Sequence, residues 1–378
     1  MKRFLNTLLI LSFLGLPACA KASNDLVLSI DGQETIITKA IYQEIEELVN
    51  VNDEKDYDLP LEYLFYQYDG RVVDEIDILQ GESLTTFQWK EIADSAFWRD
   101  VSKLEINGEE YMVDSINIRP DGFDEPVEHS IMDIAPLTAE ALGISFGEKE
   151  SGFSVPSGSV EHVVWFFLDG FGYEQFQAAE KDGLIPNLST IGEFHTAYTV
   201  YPPKTSTATA ALLSGLDSRQ NGVWATGIRN LTVPGIIDAV VDSGMKVLIV
   251  EGSSTPFNYP AAEVTLSGDR DGDGSTDDNV FRNAQTAIAE GIPSLFLVHF
   301  HGIDNVGHTY GPFSQEWESK VSEVDAMVEQ LIEQLPEKTL VVIFPDHGMH
   351  SVVEDSELGN HGNLILDDMG IYIILFQK

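Results

Sequence analysis

Cysteine is nearly missing from this chain. Cys19 is the single one in 378 residues, which excludes an intramolecular disulfide and any metal site built on clustered thiolates. Basic residues are scarce as well: 21 Lys and Arg stand against 62 Asp and Glu, a formal net charge of −41. Such a chain repels nucleic acid and anionic surfaces at long range, so a nucleic-acid duplex is not expected as a partner. Acidity on this scale also suits a surface adapted to salt water, and then it speaks of no partner at all. Beyond the N-terminus no apolar run is long enough to span a bilayer, and there is neither an internal repeat nor a long low-complexity linker. What is present is ordinary globular material, 43% hydrophobic and 22% charged, enough for one large core or two smaller ones.

The opening residues, MKRFLNTLLILSFLGLPACAKAS, place Lys2 and Arg3 before an apolar run from Leu8 to Leu16 and then small residues. This is the layout of a secretory signal over residues 1–18, and it predicts an exported protein. Cys19 sits in LPAC, which resembles a bacterial lipobox. On that reading Cys19 carries lipid and is the only membrane attachment of a periplasmic or cell-envelope lipoprotein of a bacterium. Ordinary cleavage after Ala20 is the competing reading, but a lone cysteine at this position favours the anchor.

From residue 163 onward short β-rich apolar runs alternate with helical stretches. The runs are VVWFFLDG (163–170), KVLIVEG (246–252), SLFLVHFHG (294–302) and TLVVIFPDHG (339–348), and the helices fall near 233–243, 279–290 and 315–335. Continuous apolar strands alternating with helices predict an α/β fold, a mainly parallel sheet sandwiched by helices. Ligands of such sheets gather at the carboxyl ends of the strands. Residues 24–128 have a different texture, acidic and aromatic with short alternating stretches such as DLVLSIDG and EYMVDSINIR. They predict a small N-terminal α+β domain of unknown role before a larger one at 129–378.

Within DRDGDGSTDD, Asp269, Asp271, Asp273 and Gly274 match the first half of a calcium loop of EF-hand type. The closing bidentate position holds Val280, so Asp277 or Asp278 would have to substitute. Structural calcium and a solvated acidic turn both stay open.

YPPKTSTATAALLSG, residues 201–215, puts Lys204, Thr205, Ser206, Thr207 and Thr209 at the start of a predicted helix. Hydroxyls there cap free amides, and the same helix end attracts anions. A second pattern bears on the choice. Asp169, Asp304, His308, Asp346, His347 and His361 all fall at predicted strand ends or the loops after them. Singly each has an ordinary use as cap or loop residue; together they suit two zinc ions held by nitrogen and oxygen.

The ordered motifs LDGFG, PPKT before a helix ending in LLSG, GIDNVGHTYGP, PDHGM and GNHG resemble those of the alkaline phosphatase superfamily, most closely its type I phosphodiesterase and nucleotide pyrophosphatase branch. The resemblance runs over residues 160–378 and implies an alkaline phosphatase-like core. It also implies a two-zinc phosphoesterase acting on a small phosphate ester, a phosphodiester or nucleotide pyrophosphate. One zinc would take Asp169, Thr205, Asp346 and His347, the other Asp304, His308 and His361. Thr205 would be the nucleophile and pass through a phospho-threonine, with cap and nucleophile combined in one residue and Ser206 and Thr207 as fallbacks. Lys204 stands next to it as a candidate for the phosphate.

Two departures qualify this. The branch places an Asn after the nucleophile helix to hold a phosphate oxygen, and here the aligned position is Thr226, with Asn221 upstream, so both are candidate substrate contacts. HSIMDIAPLTAEALGI (129–144) is similar to the stretch that usually closes the core, yet it comes before the first core strand. It is expected to pack in that same place, or else to be a plain linker helix capped by Asp133 with Pro136 in its first turn. A phosphomonoesterase of the same fold, a non-catalytic metal-binding module, and a transferase moving a phosphate head group from lipid to glycan are the other readings. Trp224 and Tyr310 either stack a substrate group or pack against the sheet. Oligomeric state is not legible.

Overall fold

The computed structural model describes residues 25–49, 59–68, 72–123, 126–155, 160–270, 272, 274–352 and 357–378. The signal segment, Cys19, Asp271 and Asp273 lie outside the described residues.

The chain forms an 8-stranded sheet whose strands, in chain order, are β1 (His129–Ser130), β2 (His162–Leu168), β3 (Glu193–Tyr198), β4 (Val247–Glu251), β5 (Glu263–Leu266), β6 (Leu295–Phe300), β7 (Thr339–Phe344) and β8 (Gly370–Gln377). Their spatial order is β5-β4-β6-β2-β7-β8-β3-β1. From β5 through β7 every neighbour is parallel, as the apolar runs predict; β8 is antiparallel to both β7 and β3. The fold class is therefore the expected one: a mainly parallel sheet between two helical layers.

β2 shows why its run is apolar throughout. Val163, Trp165 and Phe167 enter the core on one face, and Val164, Phe166 and Leu168 enter the core on the other. The strand has period 2 and both faces are covered. Each such side chain contributes about 1.5–3 kcal/mol by leaving water. The first face is covered by α1 (Ile134–Leu142), α3 (Thr205–Ser214) and α4 (Ile236–Asp242). Across the sheet lie α2 (Tyr173–Lys181), α5 (Asp277–Glu290), α6 (Gly302–Tyr310) and α7 (Gln315–Gln334).

α1 precedes the first long core strand and packs on α3, α4 and β2. A short turn leads into it. Ser130 accepts from Met132 N at 3.3 Å, while Asp133 reaches back to accept from Ser130 N at 2.8 Å. That box closes the short turn Ile131–Asp133; Asp133 itself holds the cap position of α1, as expected, but gives no side-chain bond to the first turn of α1.

Residues 26–120 build a 5-stranded mixed sheet in the order 33–37, 26–30, 115–120, 73–80, 83–88, and a 3-stranded antiparallel sheet from 96–100, 103–106 and 109–112. With the helix Lys39–Val49 this is the expected α+β texture. Its core around Trp89, Trp98 and Phe65 is continuous with Tyr201, Trp224, Leu364, Ile365 and Met369 of the later chain. Trp224 is therefore a packing residue: its ring lies 6.2 Å from Tyr63 and 6.0 Å from Tyr66.

Candidate metal centre

Parallel strands deliver side chains to one edge. Asp169 follows β2, Glu251 ends β4, His299 lies in β6 with His301 just beyond, and Asp346 and His347 follow β7. β2 and β7 pair as far as Phe167 and Phe344, so Asp169 and Asp346 leave the sheet side by side. Gly170, at φ 69°, then admits the neighbouring α6: a Cβ there would stand 2.8 Å from Asp304 Oδ1.

Two groups of donors result. In the first, His347 Nε2 lies 3.2 Å from Asp346 Oδ2 and 3.6 Å from Asp169 Oδ1. In the second, Asp304 Oδ2 lies 3.4 Å from His308 Nε2, and its Oδ1 lies 3.7 Å from His361 Nε2. The two groups meet where the His347 and His361 rings stack with centroids 3.7 Å apart. Each ring keeps Nδ1 near a main-chain carbonyl: His347 to Gly348 O, His308 to Gly359 O and His361 to Pro203 O, all at 2.9 Å. A donating Nδ1–H fixes the tautomer and leaves the Nε2 lone pair aimed at the site, the orientation that metal-binding histidines take.

The electrostatics ask for cations. Asp169 Oδ1, Asp304 Oδ1 and Asp346 Oδ2 are buried with no hydrogen-bond partner, a costly state for a carboxylate oxygen unless an ion completes it. Burial, then the charge of Asp169, pushes Asp346 up to about 7. The hydrogen bond with Asp304 lifts His308 to about 9, whereas burial and then His347 drive His361 down to about 3. The residues present fit divalent ions bound by N and O donors.

Thr205 opens α3. The cap position is Lys204, with φ −135° and no side-chain cap bond, so Thr205 is the first helical residue and not the cap. Its Oγ1 stands 3.4 Å from His347 Nε2. The fallbacks are less available: Ser206 and Thr207 are buried, and Thr207 donates to the backbone of Pro202 and Lys204. Half-buried Lys204 lies along the loop after His361, where a Cβ on Gly362 would meet its Cε at 2.9 Å.

Other expected residues are occupied elsewhere. Asn221 donates to Leu216 O at 2.8 Å and accepts from Val223 N at 2.9 Å, so it closes its own turn. Thr226 is exposed on a turn. Asp269 accepts from Gly272 N and Gly274 N within the acidic turn. Asp277 is fully buried and turned away from that turn, accepting from His301 N at 3.0 Å and from Gly302 N. Among the described residues the acidic turn gathers no group of three ligands.

Glu251, His299 and His301 were not singled out as site residues from the sequence; the two histidines border Asp169, and Glu251 lies behind them. The available signal was the His-Phe-His spacing at the end of a strand, which puts both imidazoles on one face.

Residues 236–376 match the model of the type I phosphodiesterase / nucleotide pyrophosphatase family. The span holds the GIDNVGHTYGP, PDHGM and GNHG motifs and there agrees with the resemblance; LDGFG and PPKT lie outside it. Among curated proteins, the catalytic subunit of human GPI ethanolamine phosphate transferase 3 is 31% identical over 121 residues, 32% of this chain and 10% of the relative. GPI ethanolamine phosphate transferase 2 of Eremothecium gossypii is 34% identical over 102 residues, 27% of this chain and 12% of the relative. The chain thus spans about a tenth of the length of these relatives. Among solved structures, phosphonoacetate hydrolase from Sinorhizobium meliloti 1021 gives a TM-score of 0.41 at 20% identity, covering 50% of this chain and 57% of the other. Murine ectonucleotide pyrophosphatase / phosphodiesterase 5 gives 0.44 at 14% identity, covering 56% and 87%. Among the described residues no helix is long and apolar enough to cross a membrane.

Proposed function

We propose that this chain is an exported metal-dependent phosphoesterase, tethered at Cys19, that cleaves phosphodiesters or pyrophosphates through a phospho-threonine on Thr205. The observation that carries the reading is the place of Thr205: half-buried at a helix start, 3.4 Å from His347, whose ring stacks on His361 of the second donor group. Asp169, Asp346, His347 and Thr205 would hold one zinc ion, and Asp304, His308 and His361 a second. Bound there, the ions lower the pKa of the threonine hydroxyl and neutralise phosphate charge in a strongly acidic protein.

The residues supply the rest. The helix start would hold Thr205 Oγ1 for in-line attack, with the amides of that first turn available to the phosphate oxygens. Lys204 would add a positive charge beside them. The bond from Thr205 Oγ1 to phosphorus would form as the bond to the leaving alcohol or phosphate breaks; the hydroxyl proton of Thr205 passes to solvent, and solvent returns a proton to the leaving oxygen. Water then breaks the threonine ester and frees Thr205. The N-terminal region, whose core runs on into residues of the later chain, would serve in this reading to brace the loop that carries His361.

A second reading follows from the names of the relatives, ethanolamine phosphate transferases. The same phospho-threonine could be resolved by an acceptor alcohol in place of water. One assay separates the readings: hydrolysis of bis-p-nitrophenyl phosphate and of p-nitrophenyl phosphate by the mature protein, with and without an acceptor alcohol and with metal content measured. Faster cleavage of the diester, lost by about 10⁴-fold or more in Thr205→Ala, is expected. Turnover unchanged in that variant removes Thr205 as nucleophile, and product bound to the added alcohol in preference to water establishes the transferase.

A further inference from the structure

We propose a third metal site, for a divalent first-row transition ion, formed by Asp169 Oδ2, His299 Nε2 and His301 Nδ1. His299 Nε2 lies 3.3 Å and His301 Nδ1 3.1 Å from Asp169 Oδ2, and the three side chains form a group able to hold an ion. These spacings are those of donors sharing one tetrahedral or facial ion, whose bonds of about 2.0–2.2 Å place neighbouring ligands a little over 3 Å apart. His299 is fully buried, and its Nε2 has no hydrogen-bond partner.

The far side of each ring supplies independent support. Glu251, itself fully buried, places Oε1 3.1 Å from His299 Nδ1 and Oε2 2.8 Å from His301 Nε2. One carboxylate therefore anchors the outer nitrogen of both imidazoles, and their inner nitrogens converge on Asp169, the outer-shell arrangement of metal-bound histidine. Both rings are held in place: His299 stacks on Phe167 at 3.8 Å, and Asp277 accepts from His301 N. Gly252 leaves room for the second ring, since a Cβ there would stand 3.1 Å from His301 Cδ2.

Two imidazoles and one carboxylate select zinc, cobalt, iron or manganese over magnesium or calcium. Asp169 then serves two ions, Oδ1 toward His347 and Oδ2 toward this site. The site shares Asp169 with the first ion of the proposed function and has His299 and His301 to itself; it extends the two-ion reading without relying on Thr205 chemistry.

The test is cobalt and zinc binding to the full chain after chelation and dialysis, read as ions per chain by elemental analysis and as the visible spectrum of bound cobalt. Wild type is expected to hold about three ions. His301→Gln and His299→Gln, with folding confirmed by circular dichroism, should each lose one ion together with its share of the cobalt spectrum. Should both fail to fold, Glu251→Gln serves instead, weakening one ion by about 10–100-fold. His361→Ala should lose a different ion and leave this one. A wild-type chain holding two ions, with the count unchanged in His301→Gln and reduced in His361→Ala, overturns the third site and spares the two-ion reading; the rings would then be bridged to the carboxylates by protons alone. A count reduced by His301→Gln but not by His361→Ala supports this site and removes the second ion of the proposed function.

Discussion

Asp169, Asp346 and His347 stand on the ends of adjacent strands in the middle of the sheet, whereas Asp304, His308 and His361 stand on a helix and a loop. The first three are at most 3% exposed; in the second group His308 and His361 remain half-buried. Strand ends β2 and β7 are fixed by the pairing beneath them, so the inner group is organised by the same interactions that make the fold. The outer group depends on a brace. Leu364 N, just past His361, donates to Glu62 Oε1 at 2.9 Å, and Val73 N donates to Leu364 O at 2.9 Å. Gly362 N and Asn363 N both donate to Asp368, which His350 ties to Asp94. The N-terminal region therefore supports the side of the site that carries His361 and leaves the inner side to the sheet.

The largest effect should come from the inner group. Asp346→Asn keeps the oxygen that accepts from Gly170 N and His347 N but removes a buried negative charge beside Asp169. At pH 8, above the value of about 7 to which burial raises this carboxyl, the metal-stripped variant should melt higher than metal-stripped wild type. Metal affinity and diesterase activity should fall by orders of magnitude. Calorimetry with and without chelator checks both signs. A stripped variant that melts lower would mean that the inner carboxylates are not in electrostatic conflict, and the contrast between the halves would lose its basis.

The inner half was the more legible half in sequence. Asp169, Asp346 and His347 follow apolar runs whose strand character is plain, and parallel pairing brings such ends together wherever they lie in the chain. Asp304 and His308 were readable from their spacing of four, which one turn of α6 satisfies. The brace was not readable. Glu62, Asp94 and His350 look like ordinary polar residues until the fold puts positions about 300 apart into contact. Asn221 and Asp277 failed for the related reason that a polar side chain near a motif is often used by the backbone next to it. β8 was missed although GIYIILFQ is as apolar as the runs that were read; β3, EFHTAY, is short and half polar, and its pairing with β8 and β1 shows only in the fold.

A smaller effect tests the brace through pH. Burial raises Glu62 to about 8, against the pull of its hydrogen bonds from Leu364 N, Tyr201 and Trp89. The unfolded chain loses that proton near 4.5, so between 4.5 and about 8 the unfolded state binds fewer protons than the folded one. Stability from this group is complete below 4.5 and is lost as pH rises through about 8. Glu62→Gln keeps an acceptor for Leu364 N and cannot ionise. Its melting temperature should match wild type near pH 4.5 and exceed it progressively toward pH 8. Parallel curves would place the burden of the brace on packing around Trp89 instead of on this carboxyl.

The smallest effect belongs to Asp94, whose side chain is 48% exposed. It accepts from Asn363 Nδ2 at 2.8 Å and meets His350 Nε2 at 3.2 Å, so it is the outermost link to the His361 loop. Exposed pairs of this kind are worth at most about 1 kcal/mol, and Asp368 stays on the other side of His350 when Asp94 is neutralised. Asp94→Asn should therefore leave the melting temperature nearly unchanged. It should weaken the outer ion by less than about 10-fold, below the range for a partner that touches a ligand directly. The inner ion should be untouched, which titration of the two sites by their separate cobalt spectra would show. Equal weakening of both ions would mean that the strand ends and the loop form one cooperative unit, and the division between a sheet-built half and a braced half would have to be given up.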